Sequence, residues 1–312
     1  MQDKKIFKPR PVSGFPEWLP EVRIVEQQWL DHIRRVFESY GFCSVETPSI
    51  EELEVLHAKG EVDKEIYVLE RLHKEEGDKE ARLALHFDQT VPLARYVAQH
   101  WDKLVFPFKR YQMQRVWRGE RPQAGRFREF TQCDIDVINN DTLPLHFDAE
   151  MPAIIWEVLN GLPGMEKQRI QIRISNRTIL INLFEALGFT DIPAALRIID
   201  KKDKISEFDV KAQLKAQAGM TDEHWKLFSN LLLHQRSSLT TSLFVALEQL
   251  EGWAAQSDPL IKSKDALLKM RKGVEDLDSV LTQIKNSLPH NSISVDAIVM
   301  DLGIVRGLDY YT

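Results

Sequence analysis

Between residues 21 and 40, apolar residues recur at steps of three and four, which is the spacing of one face of a helix. This pattern predicts a long helix, and Gly41 follows it at the position where a left-handed cap suits glycine. The apolar positions of this helix are Val22, Val25, Trp29, Ile33, Val36 and Tyr40.

Residues 130–137 alternate between polar and apolar side chains, which predicts a strand with two different faces. One face carries Phe130, Gln132, Asp134 and Asp136, and the other carries Cys133, Ile135 and Val137. A polar face beside an aromatic ring is typical of a pocket wall, although an exposed sheet face shows the same alternation.

The remaining elements are predicted from the same helical spacing and the same strand alternation. We expect a helix from an N-cap at Thr90 to Trp101, and further helices at 143–160. Short strands are predicted at 42–47, 65–69 and 82–87, with a hairpin or loop at 70–80. After residue 176 helical periods dominate, at 178–187, 206–218, 222–233, 238–253 and 260–285. Apolar, strand-like runs return at 295–305.

A helical block between two strand-rich blocks indicates an insertion into one catalytic domain. We therefore predict an α+β fold, in which an antiparallel sheet is flanked by helices and interrupted by a helical insertion. The predicted domains are a core at residues 1–174, the insertion at 175–292 and a return to the core at 293–312.

Composition narrows the class of protein. The 312 residues are 43% hydrophobic and 28% charged, which argues against wholesale disorder. The polar start of the chain predicts no secretory signal, and we expect a cytoplasmic protein with no membrane partner. The two cysteines exclude a disulfide scaffold, and the nine histidines show no metal-ligand spacing.

A basic segment stands out against the net charge of −6. Residues 104–132 contain seven Lys or Arg and two Glu, a local net charge of +5. The segment reads as two strands around a loop that contains Gly119, Pro122 and Gly125. Arginines in such a loop suit a polyphosphate, because each guanidinium gives permanently charged, bidentate contacts. A solvated hairpin that pairs with acidic surface is the alternative.

The loop and its flanks also carry a family resemblance. The run Arg118-Gly-Glu-Arg-Pro-Gln-Ala-Gly-Arg-Phe-Arg-Glu-Phe-Thr-Gln132 resembles motif 2 of class II aminoacyl-tRNA synthetases. The particular residues of this motif are similar to those of the histidyl-tRNA synthetase branch. This resemblance implies the class II antiparallel sheet.

Four further matches follow in the order that this family has. Val305–Thr312 resembles the histidine-binding peptide, and Leu85–Tyr96 resembles the element that holds the amino acid. The lead-in at Gly14–Pro20 with the helix into Tyr40–Pro48 resembles motif 1, which in this class usually forms a homodimer interface. Ala195–Lys204 is similar as well.

The resemblance implies a histidine–tRNA ligase that joins histidine to AMP and then transfers it to tRNA(His), with ATP accompanied by Mg²⁺. Arg118 would hold the α-phosphate and the histidine carboxylate, Glu120 would meet the adenine amino group, and Phe130 would stack on adenine. Arg126 would bind the γ-phosphate, and Arg306 would be the second arginine at the α-phosphate. Arg118 and Arg306 are thus the implied catalytic pair, and no metal ligand is implied in the chain itself.

The resemblance also implies the histidine pocket. Its residues are Asp88, Thr90, Gln132, Asp136 and Tyr310 or Tyr311. The first three would contact the α-amino group and nearby backbone, and the others would recognise the imidazole. A site that pairs both ring nitrogens rejects apolar isosteres strongly, because its own polar groups would be left unpaired.

Taken singly, several of these residues have a structural interpretation. Asp88 could be a charge that stabilises the start of a helix, and Asp136 could be an ordinary exposed strand residue. Tyr310 and Tyr311 could be core aromatics, and Arg306 could form a surface ion pair. The joint pattern favours the functional interpretation.

Two departures concern the element around Asp88. His86 stands where the family usually has arginine, and Gln89 stands where leucine is common. In addition, the sequence reaches Thr312 within the histidine-binding peptide, and the family's motif 3 arginine and anticodon-binding domain do not appear in it. We therefore expect this chain to aminoacylate tRNA poorly or not at all.

Two other functions remain open at this point. One is the synthetase-like regulatory subunit of ATP phosphoribosyltransferase, which binds histidine without charging tRNA. The other is a dimeric scaffold that binds neither ligand. ATP distinguishes the three, since a synthetase core needs it, a histidine sensor does not, and a scaffold binds neither ATP nor histidine.

Overall fold

The structure is a computed structural model of the 312-residue chain. It describes residues 8–58, 66–72, 82–232, 240–287 and 297–305. The described residues form two compact units. The first unit takes in the described parts of 1–143 and 161–164, and the second takes in those of 144–160 and 165–308.

The first unit combines short strands with two long ones. Its elements are α1 (Pro20–Ser39), β1 (Cys43–Ser44), β2 (Ile50–Glu52), α2 (Leu53–His57), β3 (Tyr67–Val68), β4 (Leu83–Leu85), α3 (Thr90–His100), a 3-10 turn (Trp101–Lys103), β5 (Phe108–Trp117) and β6 (Glu129–Ile138).

Helix α1 ends where the sequence predicts. Gly41 has a φ of +78°, a left-handed conformation that suits glycine. Its N–H donates to the Glu38 carbonyl at 2.9 Å, and the Phe42 N–H donates to the Phe37 carbonyl at 3.2 Å. This pair of bonds is a Schellman cap, and Phe37 and Phe42, the two residues that the outer bond joins, are both buried.

Strand β5 is the central strand of a three-stranded sheet that also contains β1 and β6. It pairs antiparallel with β6 over ten consecutive residue pairs, from Phe108↔Ile138 to Trp117↔Glu129. On its other side β5 pairs in parallel with β1, so the order is β1-β5-β6. A second three-stranded sheet is antiparallel, with the order β2-β4-β3. These sheets and helices confirm the α+β class, although the β1–β5 pairing is parallel and not antiparallel.

The predicted N-cap at Thr90 is wrong. Thr90 is the first helical residue of α3, and Gln89 occupies the N-cap position without a side-chain cap bond. The cap is instead supplied by Asp88, whose Oδ1 accepts the Val91 N–H at 3.4 Å. A carboxylate reaches a first-turn N–H from this position, so the hydroxyl of Thr90 is not needed for capping.

The second unit is predominantly helical. Its elements are α4 (His146–Gly161), β7 (Ile172–Ile174), α5 (Arg177–Ala186), α6 (Ile192–Ile199), α7 (Glu207–Ala218), α8 (Asp222–Leu232), α9 (Thr241–Ala255), α10 (Lys264–Ser287) and β8 (Ile298–Met300). The predicted helices are present, but α6 and β7 were not predicted. Strand β7 pairs in parallel with β8. It was not predicted because three residues are too few to show a hydrophobic period.

Aromatic packing organises the interior of the second unit. The fully buried Phe184 of α5 lies 4.6 Å from the Phe189 ring and 5.3 Å from the Phe228 ring, measured between centroids. Residues from α4 to β8 contribute to this single core. Its continuity explains why these elements form one compact unit.

The assignment of residues 175–292 as an insertion stays a prediction, since compactness alone does not establish it. The predicted loop at 70–80 falls mainly outside the described residues. Among the helices that the structure describes, none is long and apolar enough to cross a membrane.

We expect Phe184→Ala to lower the free energy of unfolding by about 3–5 kcal/mol, because it leaves a cavity in a close-packed core. Phe208→Ala is the matched control, since Phe208 is 78% exposed on α7 and should change stability by less than about 0.5 kcal/mol. Urea unfolding of both variants measures the difference. Equal losses would contradict the packing described for the second unit.

Candidate functional site

The candidate site lies on one face of the β5–β6 hairpin. Register pairs Arg110 with Asp136, Gln112 with Asp134, Gln114 with Gln132, and Val116 with Phe130. Side chains on a strand alternate between faces, so these eight residues share one face. The predicted grouping of Phe130, Gln132, Asp134 and Asp136 is therefore confirmed.

Arg118 lies at the end of this face, just after β5. Its Nε donates to the Phe87 carbonyl at 3.1 Å, and its Nη2 donates to Oε1 of Gln132 at 3.3 Å. The guanidinium carbon is 5.1 Å from the centroid of the Phe130 ring, which allows a cation–π contact. Three of the predicted site residues thus meet at one point.

Gln132 links Arg118 to the acidic part of the face. Its Nε2 donates to Oδ2 of Asp134 at 2.7 Å, while its Oε1 accepts from Arg118. Farther along, Asp136 forms an ion pair with Arg110. Asp136 is only 8% exposed, so it is not an ordinary exposed strand residue.

The start of α3 is fastened to the same hairpin. The buried Gln89 donates through Nε2 to the Gln114 carbonyl at 3.2 Å and to the Gln132 carbonyl at 3.0 Å. This bridge fixes the neighbouring residues Asp88 and Thr90 relative to both strands. Asp88 is itself buried, and its cap to Val91 gives it the structural role that the sequence left open.

The loop between β5 and β6 holds the two remaining described candidates. Arg126 and Glu120 form an ion pair at 2.9 Å, and the Arg126 side chain is 60% exposed. Arg128 fastens the loop to the lead-in segment, because its backbone N–H donates to the Gly14 carbonyl at 2.7 Å. Its Nε donates to the Glu120 carbonyl at 3.1 Å, which closes the loop on itself.

Three predicted residues, Arg306, Tyr310 and Tyr311, lie outside the described residues. Their roles stay predictions. In the part of the chain that the structure describes, no group of three or more His, Cys, Asp or Glu side chains is placed to hold a metal ion.

Burial changes the acid–base behaviour of two groups near the site. His86 is fully buried beneath the hairpin, and its Nε2 lies 2.8 Å from the Arg115 carbonyl. Desolvation lowers the pKa of His86, so the neutral ring donates from Nε2, and no described residue bonds its Nδ1. Desolvation likewise raises the pKa of the Cys133 thiol to about 11, with Asp134 adding to the shift.

Sequence reasoning missed the residues of β5 that support the site. Arg110, Gln112 and Gln114 are polar positions that alternate with Tyr111 and Met113. The same period-two signal that identified the face of β6 was present in β5.

Comparison with known proteins agrees with this arrangement. The family model described as histidyl-tRNA synthetase matches residues 14–312. A histidine–tRNA ligase of Thermobifida fusca (strain YX) is 50% identical over 313 residues, covering 100% of this chain and 66% of that protein. A histidine–tRNA ligase of Bifidobacterium longum (strain NCC 2705) is 40% identical over 305 residues, covering 96% and 63%.

Solved structures give the same result. The crystal structure of histidyl-tRNA synthetase from Nostoc sp. PCC 7120 matches with a TM-score of 0.76 and 39% identity, covering 99% of this chain and 64% of that one. An ATP phosphoribosyltransferase regulatory subunit/histidyl-tRNA synthetase from Bacillus halodurans C matches with a TM-score of 0.73. At 19% identity, this second likeness shows the fold alone.

The antiparallel hairpin, its flanking helices and the placement of Arg118 define a class II aminoacyl-tRNA synthetase core. Within that class, the match of the family model over residues 14–312 and the relatives at 40–50% identity show which family the chain belongs to. The chain belongs to the histidyl-tRNA synthetase family. It spans 63–66% of the length of these two curated relatives.

The buried His86 should make stability depend on pH. Its pKa is 6.5 in the unfolded chain and lower in the folded protein, so the unfolded chain takes up a proton first as the pH falls. This group therefore contributes a loss of stability below about pH 6.5, at most about 1.4 kcal/mol per pH unit.

Urea unfolding at pH 7.5 and 5.5 measures this loss. We expect His86→Gln to reduce the difference between the two pH values. His57→Gln is the control, because His57 is exposed at the end of α2. An unchanged pH dependence in His86→Gln would contradict the interpretation.

Proposed function

We propose that this chain carries the histidine-activating site of a histidine–tRNA ligase. In the proposed reaction, the carboxylate of histidine attacks the α-phosphorus of ATP in line, and pyrophosphate leaves. The histidyl group then passes from the adenylate to the terminal adenosine of tRNA(His). The observation that carries the proposal is the position of Arg118 between Phe87, Gln132 and Phe130.

The proposed ATP contacts follow from that position. An adenine ring stacked on Phe130 would lie beside the Arg118 guanidinium, which would then meet the α-phosphate and the histidine carboxylate. Such a pre-arranged cation stabilises the charge that grows on the phosphate during attack. Arg306 is the proposed second arginine at this phosphate. ATP would arrive with Mg²⁺, a hard cation that prefers phosphate oxygens.

Glu120 and Arg126 are the proposed contacts for the adenine amino group and the γ-phosphate. In the structure they pair with each other at 2.9 Å. Exposed ion pairs contribute only about 0–1 kcal/mol, so ATP could replace this pair at small cost. The pair therefore supports a loop that is held near its binding position before ATP arrives.

The proposed histidine pocket uses the acidic side of the same face. Asp88, Thr90 and Gln132 would contact the α-amino group, and Asp136 with Tyr310 or Tyr311 would recognise the imidazole. The bridge from Gln89 to the carbonyls of Gln114 and Gln132 supports this grouping, because it holds the start of α3 against the hairpin.

The regulatory alternative has weaker support. Its evidence is a fold-level likeness at 19% identity to a protein whose title names both functions. The 40–50% identical relatives are named histidine–tRNA ligases, and the sequence contains both arginines, Arg118 and Arg126, of the segment that resembles motif 2. We therefore favour the ligase. A cytoplasmic location belongs to the same proposal, since tRNA charging supplies translation.

Calorimetric titration with histidine distinguishes the functions, with and without Mg²⁺ and a non-hydrolysable ATP analogue. A ligase site should bind histidine more tightly with the analogue, because two ligands that share one site are coupled. Histidine binding that ignores the analogue would favour the regulatory subunit. Absence of binding to either ligand would favour a scaffold.

We expect Arg118→Gln to abolish this coupling and to weaken the ATP analogue about 10- to 100-fold, the worth of a hydrogen bond to a charged group. Arg115→Gln is a matched control on the same hairpin, because Arg115 belongs to the opposite face of β5, where its exposed side chain pairs with Glu129. It should change the affinity less than about twofold. Equal effects of the two variants would contradict the proposed site.

We also propose a homodimer with α1 in the interface. The apolar face predicted for α1 is buried only towards its end, at Val36. At its start, Val22 and Val25 are 49% and 45% exposed, and Trp18 and Leu19 extend the exposed apolar surface. Apolar surface of this kind is typical of a face that another chain covers.

Replacing Val22 and Val25 together by Asp should convert the dimer to a monomer in sedimentation analysis, because each change would bury a charge in an apolar interface. Val245→Asp is the control, since Val245 is 60% exposed on α9 in the second unit and should leave the dimer intact. A dimer that survives both Asp substitutions in α1 would exclude this face.

A further inference from the structure

Arg110 is the one buried arginine in the polar face of the hairpin, among the residues that the structure describes. It is 0% exposed, although its guanidinium carries a permanent charge. It lies on the central strand β5, directly opposite Asp136 on β6, and the two side chains form an ion pair. The register of the hairpin therefore places a buried cation against a proposed imidazole-binding carboxylate.

Burial of this pair needs an explanation other than stability. Removing two charges from water is costly, and apolar residues in place of a buried ion pair are often neutral or stabilising. A carboxyl that leaves water beside a cation stays ionised, whereas one that leaves water alone tends to take up a proton. The position of Arg110 thus favours an Asp136 that only accepts hydrogen bonds.

The orientation of the pair is fixed from the side of β1. Arg110 donates through Nη1 to Oε1 of Gln112 at 3.5 Å, and Gln112 donates to the Thr47 hydroxyl at 3.0 Å. Gln112 and Thr47 are both buried. Buried contacts of this kind favour one arrangement of their members, which supports a guanidinium directed towards Asp136.

We propose that Arg110 is a positioning residue for the side chain of the amino-acid substrate: it holds Asp136 ionised and aligned to accept an N–H from a neutral imidazole. This inference rests on the proposed function, because it assigns Asp136 to the imidazole. A carboxylate has about four acceptor positions, so pairing with Arg110 leaves capacity for a ring N–H.

The proposal defines the class of side chain that the site accepts. Because Arg110 already neutralises Asp136, the pair offers no net charge that would select imidazolium over imidazole. The favoured ligand is an uncharged five-membered ring that donates one N–H. A ring without a donor would leave the buried carboxylate without that bond and should be rejected.

A thermodynamic cycle tests the assignment by calorimetry. The proteins are the parent chain, Arg110→Met, Asp136→Asn and the double variant, titrated with histidine and separately with the ATP analogue. Arg110→Met should weaken histidine about 10- to 100-fold and change the ATP analogue by less than about threefold. In the Asp136→Asn background, Arg110→Met should add no further loss, because the two residues act as one unit.

Arg115→Met is the matched control, an arginine replaced on the opposite face of the same strand. It should leave both affinities unchanged. Arg110→Lys keeps the positive charge and should restore part of the histidine affinity. Additive losses in the cycle, or equal losses for histidine and the ATP analogue, would overturn the proposal and show a role in folding only.

A measurement on the parent chain covers the case in which Arg110→Met fails to fold. 1,2,4-Triazol-3-ylalanine keeps a ring N–H but stays uncharged at pH 7.5, and thienylalanine has no ring donor. We expect the triazole to bind within about threefold of histidine and thienylalanine about 100-fold more weakly. A site that rejects the triazole as strongly as thienylalanine would overturn the proposal, since it would require imidazolium.

These outcomes separate this inference from the proposed function. If the parent chain does not bind histidine with or without the ATP analogue, the proposed function fails and the role of Arg110 fails with it. If the parent chain binds histidine and the cycle is additive, the function stands and only the role of Arg110 is excluded.

Discussion

The antiparallel register of β5 and β6 is the constraint on which the site depends. Ten consecutive pairs fix which residue of one strand lies opposite which residue of the other. A slip of one residue would move the whole polar set to the opposite face, where Tyr111 packs against Phe37. The pairing of Arg110 with Asp136 and the approach of Arg118 to Gln132 therefore exist only in this register.

A polar face inside a folded unit needs hydrogen-bond partners, and here the neighbouring elements supply several of them. Gln89 reaches from the start of α3 to two strand carbonyls, and the Thr47 backbone exchanges hydrogen bonds with the Gln114 amide at 2.8 and 3.1 Å. Each bond ties an element outside the hairpin to the hairpin. These hydrogen bonds therefore also hold the residues of the site together. A residue that left its place would leave a buried donor or acceptor without its hydrogen bond.

Much of this arrangement could be predicted from local sequence patterns. Period-two alternation placed Gln132 and Asp136 on one face, and helical spacing located α1 to within one residue at each end. Pairing between strands could not be predicted in this way, because a cross-strand partner such as Arg110 is defined by register, and register is a property of two segments. The cap of α3 was misassigned for a related reason, since Asp88 and Thr90 are both good capping residues and only the backbone decides between them.

The two arginines Arg110 and Arg118 show how the fold gives one residue type two different environments. Arg110 is fully buried and already paired, so its charge is spent on Asp136 and its position is constant. Within the described part of the chain, Arg118 is held by a carbonyl, an amide and an aromatic ring, all of them neutral. A phosphate would therefore be drawn to Arg118 and not to Arg110. Sequence alone gives both residues the same charge, whereas the fold gives them different burial and different partners.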